Sequence, residues 1–492
     1  MVLKSLIEKF EYEVINGSDE TVINSLVPDS RKVSVGDVFV CIEGAVSDGH
    51  KYIPDVIAKG AKAVIVQKDT EITKEFDGVT IIKTKDTRKA LAYMSAAFFG
   101  YPADELFTIG ITGTKGKTTT TYMIREVLES CGIKTGLIGT VEIIFDDEDR
   151  IQSKNTTPES FDVHRYFRKM ADIGCKCVVM EVSSQALMLH RTAGIQFDIG
   201  AFTNLEPDHI GPNEHTSFEH YAECKSMLFK QSRIGVVNTD CEHLDMIMDN
   251  NTCELVETYG LSDNAGLSVK NISYSHNAGD IATEFDVTGK TDMHVNLSMP
   301  GKFSVYNALC AIAIINSMEK EFNVDREALL KGLKNVRVPG RIELVKASDD
   351  YIVIIDYAHN AMSLESLLTT LREYNPKRIV TIFGCGGNRS QLRRFEMGEV
   401  SGKLSDLTII TSDNPRDEEP VDIMNDIRTG VLKTSGKYVM IEDRGEAVKY
   451  AIDNGRSGDI IVIAGKGHED YQEIKGIKYH MTDRELVNNA II

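Results

Sequence analysis

No apolar stretch in these 492 residues approaches the roughly 18 needed to cross a bilayer as a helix. The first residues, MVLKSLIEKFEYEV, alternate charge with apolar side chains and lack the unbroken apolar core of a secretory signal. Cysteine is thin and unpatterned. The nine Cys form no paired framework, and Cys175 and Cys177 stand too close together for a zinc knuckle, with no second pair following. They read as small residues leading into a buried strand. Cations are in deficit, with 55 Lys and Arg against 74 Asp and Glu and a formal charge of −19. That balance argues against binding nucleic acid or an anionic membrane, which takes clustered Lys and Arg. A phosphorylated small molecule stays admissible, since it needs only a few placed cations and backbone N–H groups. No short-period repeat or low-complexity tract occurs. What remains, 42% hydrophobic and 26% charged, is an ordinary globular composition. A soluble cytoplasmic protein without membrane insertion is expected.

At roughly 150 residues per domain the length suggests three domains. The first, residues 1–102, holds the strand-like runs Val38–Ile42 and Ala63–Val66 around a helical stretch from Tyr52 to Gly60, and closes at Gly100-Tyr101-Pro102. The second, 103–335, alternates strand and helix. Leu106–Thr112, Cys177–Val182, Ile199–Thr203 and Ile234–Val237 are short apolar runs, and Met123, Ile124, Val127, Leu128 and Cys131 mark the buried face of a helix. From Leu267 to Leu297 the pattern turns alternating and Thr-rich, which predicts an antiparallel addition at the sheet edge. The third, 336–492, starts near Val338-Pro339-Gly340-Arg341 and repeats the alternation through Ile352–Ile355, Ile379–Phe383, Leu407–Thr411 and Ile460–Ile463. The expected fold is therefore α/β: a smaller N-terminal α/β domain, a central doubly wound, mostly parallel sheet of the P-loop ATPase kind, and a C-terminal Rossmann-like α/β domain.

Ligands of open parallel sheets bind beyond the carboxyl ends of the strands, so those ends are where chemistry is sought. Thr112-Gly113-Thr114-Lys115-Gly116-Lys117-Thr118-Thr119 lies between a strand and a helix. Its glycines let N–H groups close around phosphate oxygens, Lys117 can reach terminal phosphates, and the Thr118 or Thr119 hydroxyl can hold Mg²⁺. It departs from G-x-x-x-x-G-K-[ST], because position 111 is Ile and Gly110 comes one residue early. Glu181, at the end of its strand, is a good second Mg²⁺ ligand. Asn204, Asp208 and His209 follow a third strand toward the same edge. Lys225, taken alone, reads as a solvated helix lysine.

Four strand ends of the third segment carry polar sets: Asp356-Tyr-Ala-His359-Asn360, Gly384-Cys-Gly-Gly-Asn-Arg389, Asp413-Asn414-Pro415-Arg416, and Gly465-Lys-Gly-His-Glu469-Asp470. Each alone could be a turn. Together they describe a site for a polar, charged substrate. Arg416 can pair with a carboxylate in a bidentate fork; its plain alternative is a surface ion pair with Asp417, Glu418 or Glu419.

With Asn155-Thr-Thr-Pro-Glu159, Glu181-Val-Ser-Ser184, Tyr306-Asn307-Ala308 and Pro339-Gly340-Arg341 added, these motifs resemble the Mur ligases of peptidoglycan synthesis, in particular the members that add the third residue of the stem peptide. Asp29-Ser30-Arg31 and Gly36-Asp37-Val38-Phe39 extend the likeness over essentially the whole chain. The resemblance implies an ATP- and Mg²⁺-dependent amide ligase that forms ADP through an acyl phosphate. Its implied substrates are UDP-N-acetylmuramoyl-L-Ala-D-Glu and meso-diaminopimelate, and a monomer is expected. By position it assigns Gly113, Thr114, Lys115, Gly116, Lys117, Thr118, Thr119, Asn307, Arg341 and His359 to ATP. It assigns Ser30, Ala45, Val46, Ser47, Asn155, Thr156, Thr157, Ser183 and Arg191 to the UDP-muramoyl-dipeptide. Arg389, Asp413, Asn414, Pro415, Arg416, Gly465 and Glu469 go to the amino acid, with Glu469 facing its distal ammonium. Lys117, Glu181, His209 and Lys225 are the implied catalytic set. Thr118, Glu181, His209 and Lys225, the last as a carbamate, are the implied metal ligands.

Four departures touch substrate details. Gln185 stands where a His usually follows the two serines, and Leu189 where a Gln is common. The segment Glu206–His215 differs from the usual version, and Asn360-Ala-Met362 replaces a Thr-Pro. Rival readings are the same ligation with L-lysine or another diamino acid, a paralogue acting on another cell-wall precursor, a folylpolyglutamate synthase, a P-loop NTPase that is not a ligase, and a binding module with a dead nucleotide site. The Asp29-Ser30-Arg31 segment weighs against the folylpolyglutamate reading, and the Asp-Asn-Pro-Arg form favours diaminopimelate over lysine.

Overall fold

The computed structural model describes residues 1–44, 47–69, 76–208, 210–211, 214–277 and 280–491. Its contacts divide the chain into two units, Met1–Gly266 with Cys310–Leu329, and Leu267–Leu309 with Leu330–Ile492.

The first unit contains two sheets. One runs Glu13–Asn16, Thr80–Lys83, Ala63–Val66, Val38–Val40, Leu26–Val27, parallel except for its first strand. The other has the order Leu255–Tyr259, Ser232–Asn238, Phe197–Phe202, Phe107–Thr112, Cys177–Glu181, Thr135–Ile138, all parallel, and continues into the antiparallel strands Glu142–Ile144 and Arg150–Gln152. The central strands Phe107–Thr112, Cys177–Glu181 and Phe197–Phe202 are covered on both faces, which is why they read as largely apolar runs. Val178, Val179 and Met180 are wholly buried. At roughly 1.5–3 kcal/mol per fully buried large aliphatic side chain, such rows carry much of the folding free energy. The Phe107–Thr112 strand sits between the one that ends in Glu181 and the one that leads to Asn204. Three polar strand ends therefore share one edge.

The helix Lys117–Ser130 begins on Gly116, at φ +88°, and buries Met123, Ile124, Val127 and Leu128. Cys131 caps this helix at its carboxyl end and is only half-buried, so it ends the predicted face rather than extending it. The predicted helix from Tyr52 to Gly60 is shorter, Ile53–Ala58, with Pro54 in its first turn.

In the second unit a sheet has the order Glu343–Val345, Ile352–Asp356, Asp459–Ala464, Arg378–Phe383, Leu407–Ile410, Tyr438–Met440, parallel except for its first strand. The alternating Leu267–Leu297 segment forms the predicted antiparallel ladder from Leu267–Asn277, Asp280–Gly289 and Met293–Leu297. No helix among the described residues is long and apolar enough to cross a membrane.

Candidate functional site

In the first unit, the loop after Phe107–Thr112 is fixed by the neighbouring strand end. Asn204 accepts from Thr114 N through its carbonyl and from Lys115 N through Oδ1, each at 2.9 Å, and its Nδ2 donates to Lys115 O at 3.0 Å. Thr203 Oγ1 adds a bond to Lys115 O at 2.6 Å. Gly113 sits at φ +145°, and a Cβ there would come within 1.9 Å of Thr203 Oγ1, so only glycine fits. Lys117 Nζ folds back onto Gly113 O at 2.7 Å and Thr114 O at 3.0 Å. Lys115 pairs with Glu206 at 2.7 Å.

Lys225 is not a solvated lysine. It lies on the helix Phe218–Ser226 with 1% of its surface exposed, and its Nζ donates to Gly113 O at 2.9 Å. Burial, reinforced by the charge of Lys117, holds its amine well below the usual lysine range.

Glu181 is buried at its strand end. Its Oε1 accepts from Thr140 N at 2.8 Å and its Oε2 from Thr140 Oγ1 at 3.0 Å. Thr118 is buried in the first turn of the loop's helix. A carboxylate and a hydroxyl are hard oxygen donors of the kind Mg²⁺ takes. His209, the other sequence-derived ligand, lies outside the described residues. A different cluster, His215, His220 and Cys224, brings two imidazoles and a thiol within 4.8 Å of one another; these nitrogen and sulfur donors do not suit Mg²⁺, which takes oxygen.

Five sequence-derived dipeptide residues come together. Asn155, Thr156, Thr157, Ser183 and Arg191 line one cavity of about 340 Å³, and Lys117 lines it too. Thr157 Oγ1 donates to Glu181 O at 2.8 Å and accepts from Ser183 N at 3.1 Å, so the wall is tied to the strand end. Arg191 donates to Thr157 O at 3.0 Å and pairs with Glu159 at 2.7 Å. Its buried Nε has no protein acceptor among the described residues.

The same cavity contains Thr140 and Lys154, which the sequence did not single out, with Ser184 from the Glu181–Ser184 motif and Gln185, Glu214 and His215 from the divergent positions. His215 Nε2 stands 2.8 Å from Ser184 Oγ, so an imidazole reaches the second serine from 31 residues away. Ser30 and Ser47 are placed apart from these contacts: Ser30 O accepts from Lys59 Nζ at 2.7 Å, and Ser47 Oγ meets Tyr52 OH at 3.0 Å. Ala45 and Val46 lie outside the described residues.

The second unit has its own clusters. Arg341 lies 4.9 Å over the ring of Tyr357, which is 4.7 Å from His359 and 5.0 Å from His468. Burial lowers both imidazoles, and His468 is pushed down to about 4 with the Arg341 charge adding to the effect. Asn307 is buried in the helix Lys302–Ser317.

At the other strand ends, Asn414 Nδ2 donates to Glu469 Oε2 at 2.9 Å, and Gly387 N donates to Asn414 O at 2.8 Å. Gly465, at φ +109°, turns the chain beside Asp413. Pro415 is packed so closely that a Cβ on Gly387 would stand 1.9 Å from its carbonyl oxygen. Arg416 adopts φ +52°, donates through Nη1 to Gly387 O at 2.7 Å and reaches Glu473 through Nε at 3.2 Å. Its partner is thus none of Asp417, Glu418 and Glu419. Glu418 instead binds Arg394 at 2.7 Å, and Asp417 accepts from Asn388 at 2.6 Å. Arg389 is exposed in the Gly384–Arg389 turn.

The chain is similar to known proteins over its whole length. The Mur ligase middle domain matches residues 111–315, the Mur ligase glutamate ligase domain 340–467, and the Mur ligase family catalytic domain 22–99. The UDP-N-acetylmuramoyl-L-alanyl-D-glutamate--2,6-diaminopimelate ligase of Clostridium perfringens is 41% identical over 100% of this chain and 99% of its own. The protein of that name from Alkaliphilus metalliredigens is 41% identical over 96% of this chain and 94% of its own. A solved structure of a ligase with that name superimposes with a TM-score of 0.71 at 28% identity, covering 100% of this chain and 98% of the other. Full-length identity at this level, with family domains matched along the whole chain, means that the chain belongs to the Mur ligase family.

Proposed function

We propose that this chain is an ADP-forming amide ligase that joins meso-diaminopimelate to the D-glutamate γ-carboxylate of UDP-N-acetylmuramoyl-L-Ala-D-Glu in the cytoplasm. The observation that carries the reading is the cavity in which Lys117, the lysine of the phosphate-binding loop, stands beside Asn155, Thr156, Thr157, Ser183 and Arg191. A terminal phosphate at Lys117 and a carboxylate at Arg191 would then occupy one enclosure, as phosphoryl transfer to a carboxylate requires. Functionally the chain divides at residues 1–102 for the UDP end, 103–335 for ATP and 336–492 for the amino acid.

The backbone N–H groups of Gly113 to Thr119 cradle the phosphates of ATP, and Lys117 compensates charge on the transferring group. The γ-carboxylate attacks the γ-phosphorus, ADP leaves, and an acyl phosphate remains. The free α-amine of diaminopimelate attacks the acyl carbon; the tetrahedral intermediate expels phosphate, and the amine's proton passes to solvent. Thr118, Glu181, His209 and a carbamylated Lys225 are the ligands proposed for Mg²⁺, which supplies charge neutralisation at the phosphoryl oxygens when bound. Arg341, with the Tyr357 and His359 rings, offers a cation and aromatic faces to the nucleotide, as does Asn307 its amide. Ser30, with Ala45, Val46 and Ser47, is assigned to the uridine end.

The acceptor is set by Arg416, which presents a guanidinium to the carboxylate that diaminopimelate carries and lysine lacks. Arg389, Asn414 and Glu469 complete that pocket. An ADP-release assay with UDP-N-acetylmuramoyl-L-Ala-D-Glu and a panel of amino acids tests the reading. Release that depends on meso-diaminopimelate supports it. Release that is indifferent to every amino acid sinks the ligase, and preference for L-lysine sinks the acceptor.

A further inference from the structure

Lys466 has no exposed surface, although it stands between Gly465 and Glu469 in a loop at the end of the strand Asp459–Ala464. Two positive-φ glycines, Gly465 at +109° and Gly467 at +54°, bracket it. A Cβ on Gly467 would come within 2.7 Å of Gly340 O and of Tyr357 Cβ, so this side of the loop packs closely and only glycine fits there.

A buried ammonium must place three donors. Lys466 Nζ donates to Asn414 Oδ1 and to Glu469 Oε2, each at 3.2 Å, with Asp413 Oδ1 at 4.0 Å. Asn414 Oδ1 also accepts from Glu473 N at 2.9 Å, while Asn414 Nδ2 donates to Glu469 Oε2 at 2.9 Å. Lysine, amide and carboxylate thus close a three-membered ring of hydrogen bonds. The ring decides the orientation of the amide, because two donors meet its oxygen and an acceptor meets its nitrogen. It also commits one oxygen of Glu469. Oε1 stays outside the ring on a side chain that keeps 22% of its surface exposed.

We infer that Lys466 is a positioning residue for the acceptor amino acid: it locks the Asn414 amide and turns one free oxygen of Glu469 toward the ligand's distal ammonium. This rests on the proposal that Asn414 and Glu469 bind the acceptor. Without the ammonium, Asn414 keeps the Glu473 N–H on its oxygen but loses its second donor, and the Glu469 carboxylate loses the cation that fixes which of its oxygens faces outward. A buried cation serving stability alone would act on the whole unit and on every substrate alike. A positioning cation acts on one.

The test is steady-state ADP release by full-length Lys466→Met and Lys466→Gln, with diaminopimelate, ATP and the UDP-muramoyl-dipeptide varied in turn. The expected result is a KM for diaminopimelate raised about tenfold or more, with KM for ATP within about twofold of wild type. The penalties of Lys466→Met and Asn414→Ala should also fall short of additivity, since both break one ring. An unchanged acceptor KM overturns the inference, as does a parallel rise in all three KM values. Should Lys466→Met fail to fold, Lys466→Gln, which keeps a neutral donor, decides by the same criteria. Wild-type turnover that ignores diaminopimelate would instead remove the underlying acceptor reading, so the two failures are distinct.

Discussion

Lys117 and Lys225 donate to a single acceptor: the Gly113 carbonyl receives one Nζ at 2.7 Å and the other at 2.9 Å. One lysine arrives from the glycine-rich turn at the start of the helix Lys117–Ser130 and the other from the helix Phe218–Ser226, 112 residues beyond Gly113. Two ammonium groups sharing a carbonyl repel, and the more deeply buried of the two is the one driven toward its neutral form. A neutral amine can attack CO₂, forming an N–C bond and losing a proton to leave an anionic carbamate. The repulsion then becomes an attraction, and the group acquires oxygen atoms of the kind Mg²⁺ binds.

Lys225→Ala should therefore lower turnover by on the order of 10²-fold or more while the protein stays folded, and bicarbonate should not restore it. Carbon-13 NMR with labelled CO₂ should give a carbamate signal in wild type that the variant lacks. Normal turnover by the variant would return Lys225 to a packing role.

Arg416→Ala should lose diaminopimelate turnover by on the order of 10²-fold in kcat/KM, with ATP affinity near normal. The guanidinium is already oriented by Gly387 O and Glu473, so it can receive a carboxylate with little further ordering. Arg416→Lys should recover only part of the loss, because an ammonium lacks the planar fork. Competition between diaminopimelate and L-lysine at equal concentration reads the effect, and a variant that still prefers diaminopimelate as strongly as wild type contradicts the assignment.

The strands were legible because doubly covered parallel strands leave an apolar signature, and the glycines because phosphate loops need positive φ. Asn155, Thr156, Thr157, Ser183 and Arg191 were found through their motifs and do share a cavity. What the sequence hid is contact between distant segments. Nothing local to His215 announces that its ring will meet Ser184, and Glu473 gives no sign of pairing with Arg416, 57 residues earlier. The burial of Lys225 and Lys466 was hidden for another reason, although the resemblance had already singled out Lys225. A lysine reads as solvated by default, and burial is a property of the fold around it.

Arg444 illustrates such a hidden contact and yields a stability prediction. It forms a bidentate pair with Asp483, at 2.6 and 2.8 Å, in which neither side chain is exposed. Its Nη2 also donates at 3.1 Å to Ala464 O, the carbonyl before the Gly465 turn. Arg444→Met would strand a buried carboxylate, at a cost of about 3–5 kcal/mol. Arg444→Met combined with Asp483→Leu should recover much of that loss, since the pair is then replaced by apolar packing. Calorimetric unfolding of both variants checks this, and a double variant no more stable than the single one would show that the carbonyl bonds matter more than the charge.

The last prediction concerns acid. His164 is wholly buried in the helix Ser160–Asp172, and among the described residues neither ring nitrogen makes a well-formed hydrogen bond, the Ala193 backbone beside the ring only partly offsetting its burial. Burial pushes its imidazole down to about 4 from the ordinary 6.5. Between those values the unfolded chain binds a proton that the folded chain refuses, so stability rises with pH across the window and falls as pH drops from about 6.5 to about 4. A shift of that size corresponds to roughly 3 kcal/mol. His468, also held near 4, adds a term of the same sign, so wild type alone cannot assign the slope to one residue. The difference between wild type and His164→Phe can, because phenylalanine fills the site and takes no proton. Urea midpoints measured at intervals from pH 7 to pH 4 should fall less steeply in the variant, and parallel curves would mean that His164 takes up its proton as readily in the folded state as in the unfolded chain.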